Sequence, residues 1–95
     1  MAVAVILEFA GATLEDYDRV IDALGLGGAR RGEPGLLFHW VAAVEGGIRV
    51  VDVWRDRDLA ESFVRDRLVA ATQAIGAREP PDIQVLDVHN FLLEG

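Results

Sequence analysis

Two histidines, a scatter of carboxylates and two tryptophans are the side chains of this sequence with most chemistry to offer. Three of them fall in one stretch. Residues 35–56, GLLFHWVAAVEGGIRVVDVWRD, are almost wholly apolar yet contain His39, Asp52 and Trp54. A carboxylate that holds an imidazole makes a general base with a fixed tautomer, able to take a proton from a phenol or an acidic carbon. A tryptophan beside that base offers a flat apolar surface for a planar ligand. Glu8, Asp87 and His89 are further ionisable groups in otherwise apolar segments.

Composition narrows what these groups can be doing. The chain has no cysteine and no lysine, which excludes thiolate nucleophiles, cysteine-held metals and Schiff-base catalysis. Ser62 falls in a helical pattern with no nucleophile-elbow context, so serine hydrolase chemistry is not expected. A net charge of -7 disfavours nucleic acid. With 95 residues there is room for a single domain spanning 1–95, and its 52% hydrophobic content suits a globular core. A chain of this size buries only roughly 60–65% of its unfolded surface, so self-association is expected. The opening MAVAVILEF lacks a basic leader and is interrupted by Glu8. A soluble cytoplasmic protein is therefore predicted, with neither signal peptide nor membrane span.

The elements that must position the candidates follow from periodicity. Residues 2–9 read as a strand, and Thr13 opens a helix with Asp16 in the capping-box position. Leu14, Tyr17, Val20, Ile21 and Leu24 form its apolar stripe, and Gly25 ends it. GLGGARRGEPG is a loop. It follows a helix and lacks the third glycine of a dinucleotide fingerprint, and Arg30 and Arg31 within it read as solvated. Strands are predicted at 36–44 and 48–55 around a Gly46-Gly47 turn. Asp58 then caps a second helix, whose buried face is Phe63, Val64, Leu68, Ala71 and Ile75 and whose stop is Gly76. Pro80-Pro81 precedes a last strand over 83–92. The order β-α-β-β-α-β is the ferredoxin-like α+β arrangement, a four-stranded antiparallel sheet in the order four, one, three, two with both helices on one face.

A Gly46-Gly47 turn sets His39 opposite Trp54 and makes His39 and Asp52 diagonal neighbours, roughly 7–8 Å apart along the backbone. Alternation divides the hairpin into two faces. Phe38, Trp40, Ala42, Val44, Val51 and Val53 form the more apolar one and are assigned to the helices. Leu37, His39, Val41, Ala43, Ile48, Val50, Asp52 and Trp54 fall on the other. With Val3, Val5, Leu7, Phe9, Leu86 and Val88 on the helix side, Glu8, Val85, Asp87, His89 and Phe91 join the bare face. An apolar patch of that size predicts a homodimer with its sheets face to face. Between them would lie a cavity lined by Glu8, His39, Asp52, Trp54, Asp87 and His89. Glu8 and Asp87, on neighbouring strands, would repel if they met and so supply a proton donor. Asn90 and Arg49 read as structural or solvated. A single-subunit metal site is not expected, because His39 and His89 lie on opposite edge strands, roughly 14 Å apart.

This plan, with VVDVWRDRDLAESF (50–63), PGLLFHW (34–40) and the closing VHN (88–90), resembles the dimeric α+β barrel superfamily. Within it the likeness is to small proteins grouped with the antibiotic biosynthesis monooxygenases, and it spans nearly the whole chain. The resemblance implies a homodimer and a cavity for a small hydrophobic or aromatic molecule. Among its activities are cofactor-independent oxygenation of aromatic polyketides, haem degradation and lactone isomerisation. Trp54 matches a cavity-facing tryptophan on the third strand of many members. Haem-degrading members carry an asparagine where Glu8 stands and a histidine on the second helix, which this chain lacks. The expected activity is therefore monooxygenation of a polyketide-type compound without cofactor, with His39 and Asp52 as catalytic base and Trp54, Glu8, Asp87 and His89 around the substrate. An isomerase or cyclase using the same base is the alternative within catalysis. Outside it stands a ligand-binding or structural dimer.

Overall fold

The computed structural model describes residues 1–26, 33–74 and 79–95. The predicted stop at Gly76, the core position Ile75 and the loop arginines Arg30 and Arg31 lie outside the described residues. The elements run β1 (Val3–Ala10), α1 (Leu14–Ala23), β2 (Leu36–Val44), β3 (Gly47–Trp54), α2 (Arg57–Phe63), a π-helical turn (Val64–Leu68), α3 (Val69–Ala74) and β4 (Asp82–Asp87). All pairings are antiparallel and the sheet order is β2-β3-β1-β4, as the β-α-β-β-α-β pattern requires. No helix among the described residues is long and apolar enough to cross a membrane.

Local chemistry fixes the ends of α1. Thr13 and Asp16 exchange side-chain-to-backbone hydrogen bonds of 3.1 and 2.9 Å, the reciprocal capping box. At the other end Gly25, at φ +78°, donates to Asp22 O while Leu26 donates to Ile21 O. That pair of bonds is the Schellman termination, which needs a residue at ease in the left-handed region. The second helix starts earlier than the sequence suggests. Asp56, not Asp58, is its cap, extended at φ -151° and accepting from Leu59 N at 2.9 Å. Asp58 falls in the first turn, where its charge complements the helix dipole.

The hairpin turns at Glu45-Gly46, one residue before the predicted position. Val44 faces Gly47, which puts His39 directly opposite Asp52, not diagonal to it. The two glycines do different work. Gly46 takes φ +82°, whereas at Gly47 a Cβ would lie 2.1 Å from the Phe9 carbonyl oxygen. A bulge at Leu37 then shifts the register, so that Leu36 pairs with Trp54 and packs on the core while Leu37 is left exposed.

The two sheet faces are the reverse of the sequence assignment in β2, β3 and β4. Val3, Val5 and Leu7 do face the helices, and with them lie Ile48, Val50, Asp52 and Trp54, all buried. Val41 and Val85 pack against the same core. Phe38, Trp40 and Leu86, at 51%, 39% and 45% exposure, occupy the uncovered face. Pairing shows why: Val3, Val5 and Leu7 stand beside Trp54, Asp52 and Val50, and paired residues share a face. β4 also stops at Asp87 instead of reaching residue 92. Its only neighbour is β1, which begins at Val3, and after Val88 N donates to Ala2 O there is no strand left to pair with.

Gly47→Ala should lower stability by about 1–3 kcal/mol, the range for forced overpacking. The urea midpoint measures it, and an unchanged midpoint would mean that the β1–β3 backbone approach is looser than described.

Candidate active site

Asp52 is the single buried charged residue among those described, at 4% exposure, and it lies between Val5 on one side and His39 on the other. A buried carboxylate without partners is costly enough to be strongly selected against. His39 Nδ1 lies 2.5 Å from Asp52 Oδ1, and its other ring nitrogen, Nε2, lies 2.5 Å from the Tyr17 hydroxyl. The Tyr17 and His39 rings are nearly parallel, 16° apart with centroids 5.8 Å apart. Three side chains from three elements thus form one file, Asp52 to His39 to Tyr17.

With Asp52 ionised and His39 neutral, the file sets where the protons lie. An ionised carboxylate can only accept, so the imidazole hydrogen of His39 sits on Nδ1. Its Nε2 then holds a lone pair and accepts from the Tyr17 O–H. Burial pushes the Tyr17 phenol above its ordinary value of 10.0, with the negative charges of Asp52 and Asp18 adding to the effect. Tyr17 therefore keeps its proton at neutral pH.

These groups stand in the wall of a part-enclosed cavity of about 1360 Å³ between sheet and helices. Leu7, Phe9, Ile48 and Val50 supply its sheet wall, and Val20, Ile21, Leu24, Phe63 and Leu68 its helix wall. Tyr17, His39 and Asp52 line it together, with Asp16, Arg19, Glu33, Thr72 and Glu79 as its other polar residues. At one end Arg67, carried on the π-helical turn, bonds the Leu24 carbonyl at 2.7 Å and the Glu33 carboxylate. That clamp ties the end of α1 to the second helix. The cavity is larger than most small-ligand sites, which run from about 300 to 1,000 Å³.

Of the six residues expected to share a cavity, only His39 and Asp52 do so. Trp54 has 1% exposure, is absent from the cavity wall and packs at 5.1 Å between ring centroids against Phe63, which does line it. Its indole Nε1 is buried without a hydrogen-bond partner. Glu8 sits on the uncovered sheet face and pairs with Arg49, its direct cross-strand neighbour. Asp87 is on the opposite face, bound to Arg57 at 3.2 Å, so the two carboxylates do not meet. His89 lies exposed beyond the end of β4. No group of three or more metal-ligating side chains converges among the described residues.

Tyr17 was absent from the candidates that the sequence offers, where it reads as one member of an apolar helical stripe. A signal was there: it is the chain's sole tyrosine, and a stripe position facing a histidine-bearing strand needs a partner for its hydroxyl.

No family model matches this sequence, and no curated protein matches it. Comparison with solved structures does find relatives of the fold. A variant of SnoaB, a cofactor-independent oxygenase from Streptomyces nogalater, superposes with a TM-score of 0.64 at 16% identity, over 98% of both chains. NE2512 of Nitrosomonas europaea, a protein of unknown function, superposes with a TM-score of 0.67 at 24% identity, over 99% of this chain and 93% of that one. The chain shares the ferredoxin-like α+β fold of these two proteins.

Because Tyr17 is the only tyrosine, tyrosinate absorbance reads this site alone. Its midpoint should lie above 10.0, and Asp52→Asn should lower it by removing a nearby negative charge. The raised value also means that stability present below pH 10 is lost as the pH rises through Tyr17's own midpoint. A midpoint at or below that of free tyrosine would contradict the described burial.

Proposed function

We propose that this chain is a cofactor-independent oxygenase of a polyketide-type aromatic compound, working as a homodimer. The observation that carries the reading is the Asp52–His39 pair set in the wall of a cavity lined mostly, though not wholly, by apolar side chains. Such a pair matches an acidic, largely hydrophobic ligand. The carboxylate fixes the tautomer and compensates the imidazolium that forms, so the proton removed from substrate has somewhere to stay. Phe9 and Phe63 stand in the wall to meet a planar ring. Trp54 supports Phe63 from behind.

The chemistry balances without a cofactor. For an anthrone, loss of one methylene proton to the base leaves a carbanion that gives one electron to oxygen. The radical pair combines to a peroxide anion, which takes the proton back from the base to become a hydroperoxide and then eliminates water to leave a carbonyl. One oxygen atom ends in the quinone and the other in water. The fold shared with SnoaB favours oxygenation over isomerisation or cyclisation by the same base.

A second copy of the chain is the occupant assigned to the uncovered sheet face. Phe38, Trp40 and Leu86 are exposed there beside Ile6, Val51 and Val53, an apolar surface that a monomer would leave in water. The paired Glu8 and Arg49 give that face a fixed polar feature for register.

Two measurements test the reading. Oxygen uptake with dithranol, a dihydroxyanthrone, should show one oxygen consumed per anthrone oxidised. His39→Gln should cut the rate by about 10²–10⁴, the usual range for a general base. Dithranol turnover without oxygen consumption would move the assignment to an isomerase or cyclase, and equal rates in both proteins would remove the base. Separately, sedimentation should give a dimer that Trp40→Asp converts to monomer, whereas a monomeric wild type would leave the face without its proposed partner.

A further inference from the structure

His39 is not free to meet a ligand with its basic nitrogen. Nδ1 is committed to Asp52 and Nε2 is already capped by the Tyr17 hydroxyl at 2.5 Å. A ligand entering the cavity can reach Nε2 only by breaking that bond. Tyr17, by contrast, lines the cavity, and its oxygen has acceptor capacity left after donating its single hydrogen.

We propose that Tyr17 is the catalytic residue in contact with substrate, and that His39 receives the proton through it. The inference rests on the acid–base reading of the cavity given above. In the transfer, the ligand's acidic O–H or C–H bond breaks and its proton bonds to the Tyr17 oxygen. The proton that Tyr17 already held moves in the same step to His39 Nε2. The ligand is left as its conjugate base, Tyr17 is again a phenol, and His39 is an imidazolium facing Asp52. Atoms and charge balance within these four groups.

Two observations and one chemical consequence support the arrangement. Tyr17 is held in place from two directions, by the Thr13-capped turn that begins α1 and by His39. Its raised phenol value keeps the relay loaded with a proton at neutral pH. After transfer the new phenol donates to the ligand anion while accepting from His39, so every member stays bonded. The ligand class follows from this. It is a hydrophobic weak acid, a phenol or enolisable ketone, that presents its acidic hydrogen to a phenolic oxygen.

The test uses p-nitrophenol as a probe, with its bound phenol-to-phenolate midpoint read by absorbance across a pH series. Wild type should bind it and lower that midpoint. Tyr17→Phe, which keeps the ring and removes the hydroxyl, should return the midpoint by at least about one pH unit, a tenfold change in the bound ionisation ratio. His39→Gln should do the same. Fluorotyrosine, incorporated at this sole tyrosine without altering the fold, should lower the midpoint further because it is the stronger donor. If Tyr17→Phe and fluorotyrosine both leave the wild-type midpoint while His39→Gln abolishes the shift, His39 touches the ligand directly. The relay is then wrong and the acid–base reading survives. If wild type fails to bind or to shift the probe, or His39→Gln changes nothing, the acid–base reading falls and the relay with it.

Discussion

A carboxylate buried at the centre of a β-sheet constrains much of this small protein. Asp52 stands in β3 with apolar neighbours along its face, where an isolated charge would be expensive to desolvate. Its compensation comes from His39 on the adjacent strand, and only a register that places the two directly opposite brings Nδ1 to 2.5 Å. That register depends on a turn at Glu45-Gly46, which depends in turn on a glycine free to adopt φ +82°. A shift of two residues along the hairpin would keep both groups on the same face but part them.

The same interaction orients the helix layer. Once His39 Nδ1 is given to Asp52, Nε2 must find a donor, and α1 supplies Tyr17 one turn beyond its cap. The capping box at Thr13 and the glycine termination at Gly25 fix where α1 begins and ends. They therefore also fix where the hydroxyl sits. On the far side of the cavity the π-helical turn carries Arg67 to the end of α1, so both ends of that helix are tied. The cavity persists because its walls are held by these polar ties at the ends and by Trp54, Phe63 and Leu68 within.

Hydrophobicity alone misassigned the faces, for an instructive reason. A face covered by helices is normally the greasier one, and Phe38, Trp40, Val51 and Val53 are greasier than the strip holding His39 and Asp52. Here the helix-covered face includes a polar site and the uncovered face is apolar. Alternation gives parity within each strand but not which parity faces the helices. The pairing of Val5 with Asp52 and of Leu7 with Val50 decides that, and pairing is a tertiary fact.

By itself, the sequence determined the element order, the strand order and the residues able to do chemistry. Period-2 and period-3.6 patterns and glycine or aspartate signals are local, and crossover handedness leaves few ways to join them. Local signals also placed the capping box and the stop at Gly25. They did not determine the exact hairpin turn, the bulge at Leu37 or the end of β4, because each depends on what the neighbouring strand offers. Only the tertiary structure separated Glu8, Asp87 and His89 from His39 and Asp52, withdrew Trp54 into the core and brought Tyr17 across 22 residues to the imidazole. A hydrogen bond between a helix and a strand depends on distance in space, and no spacing along the chain encodes it.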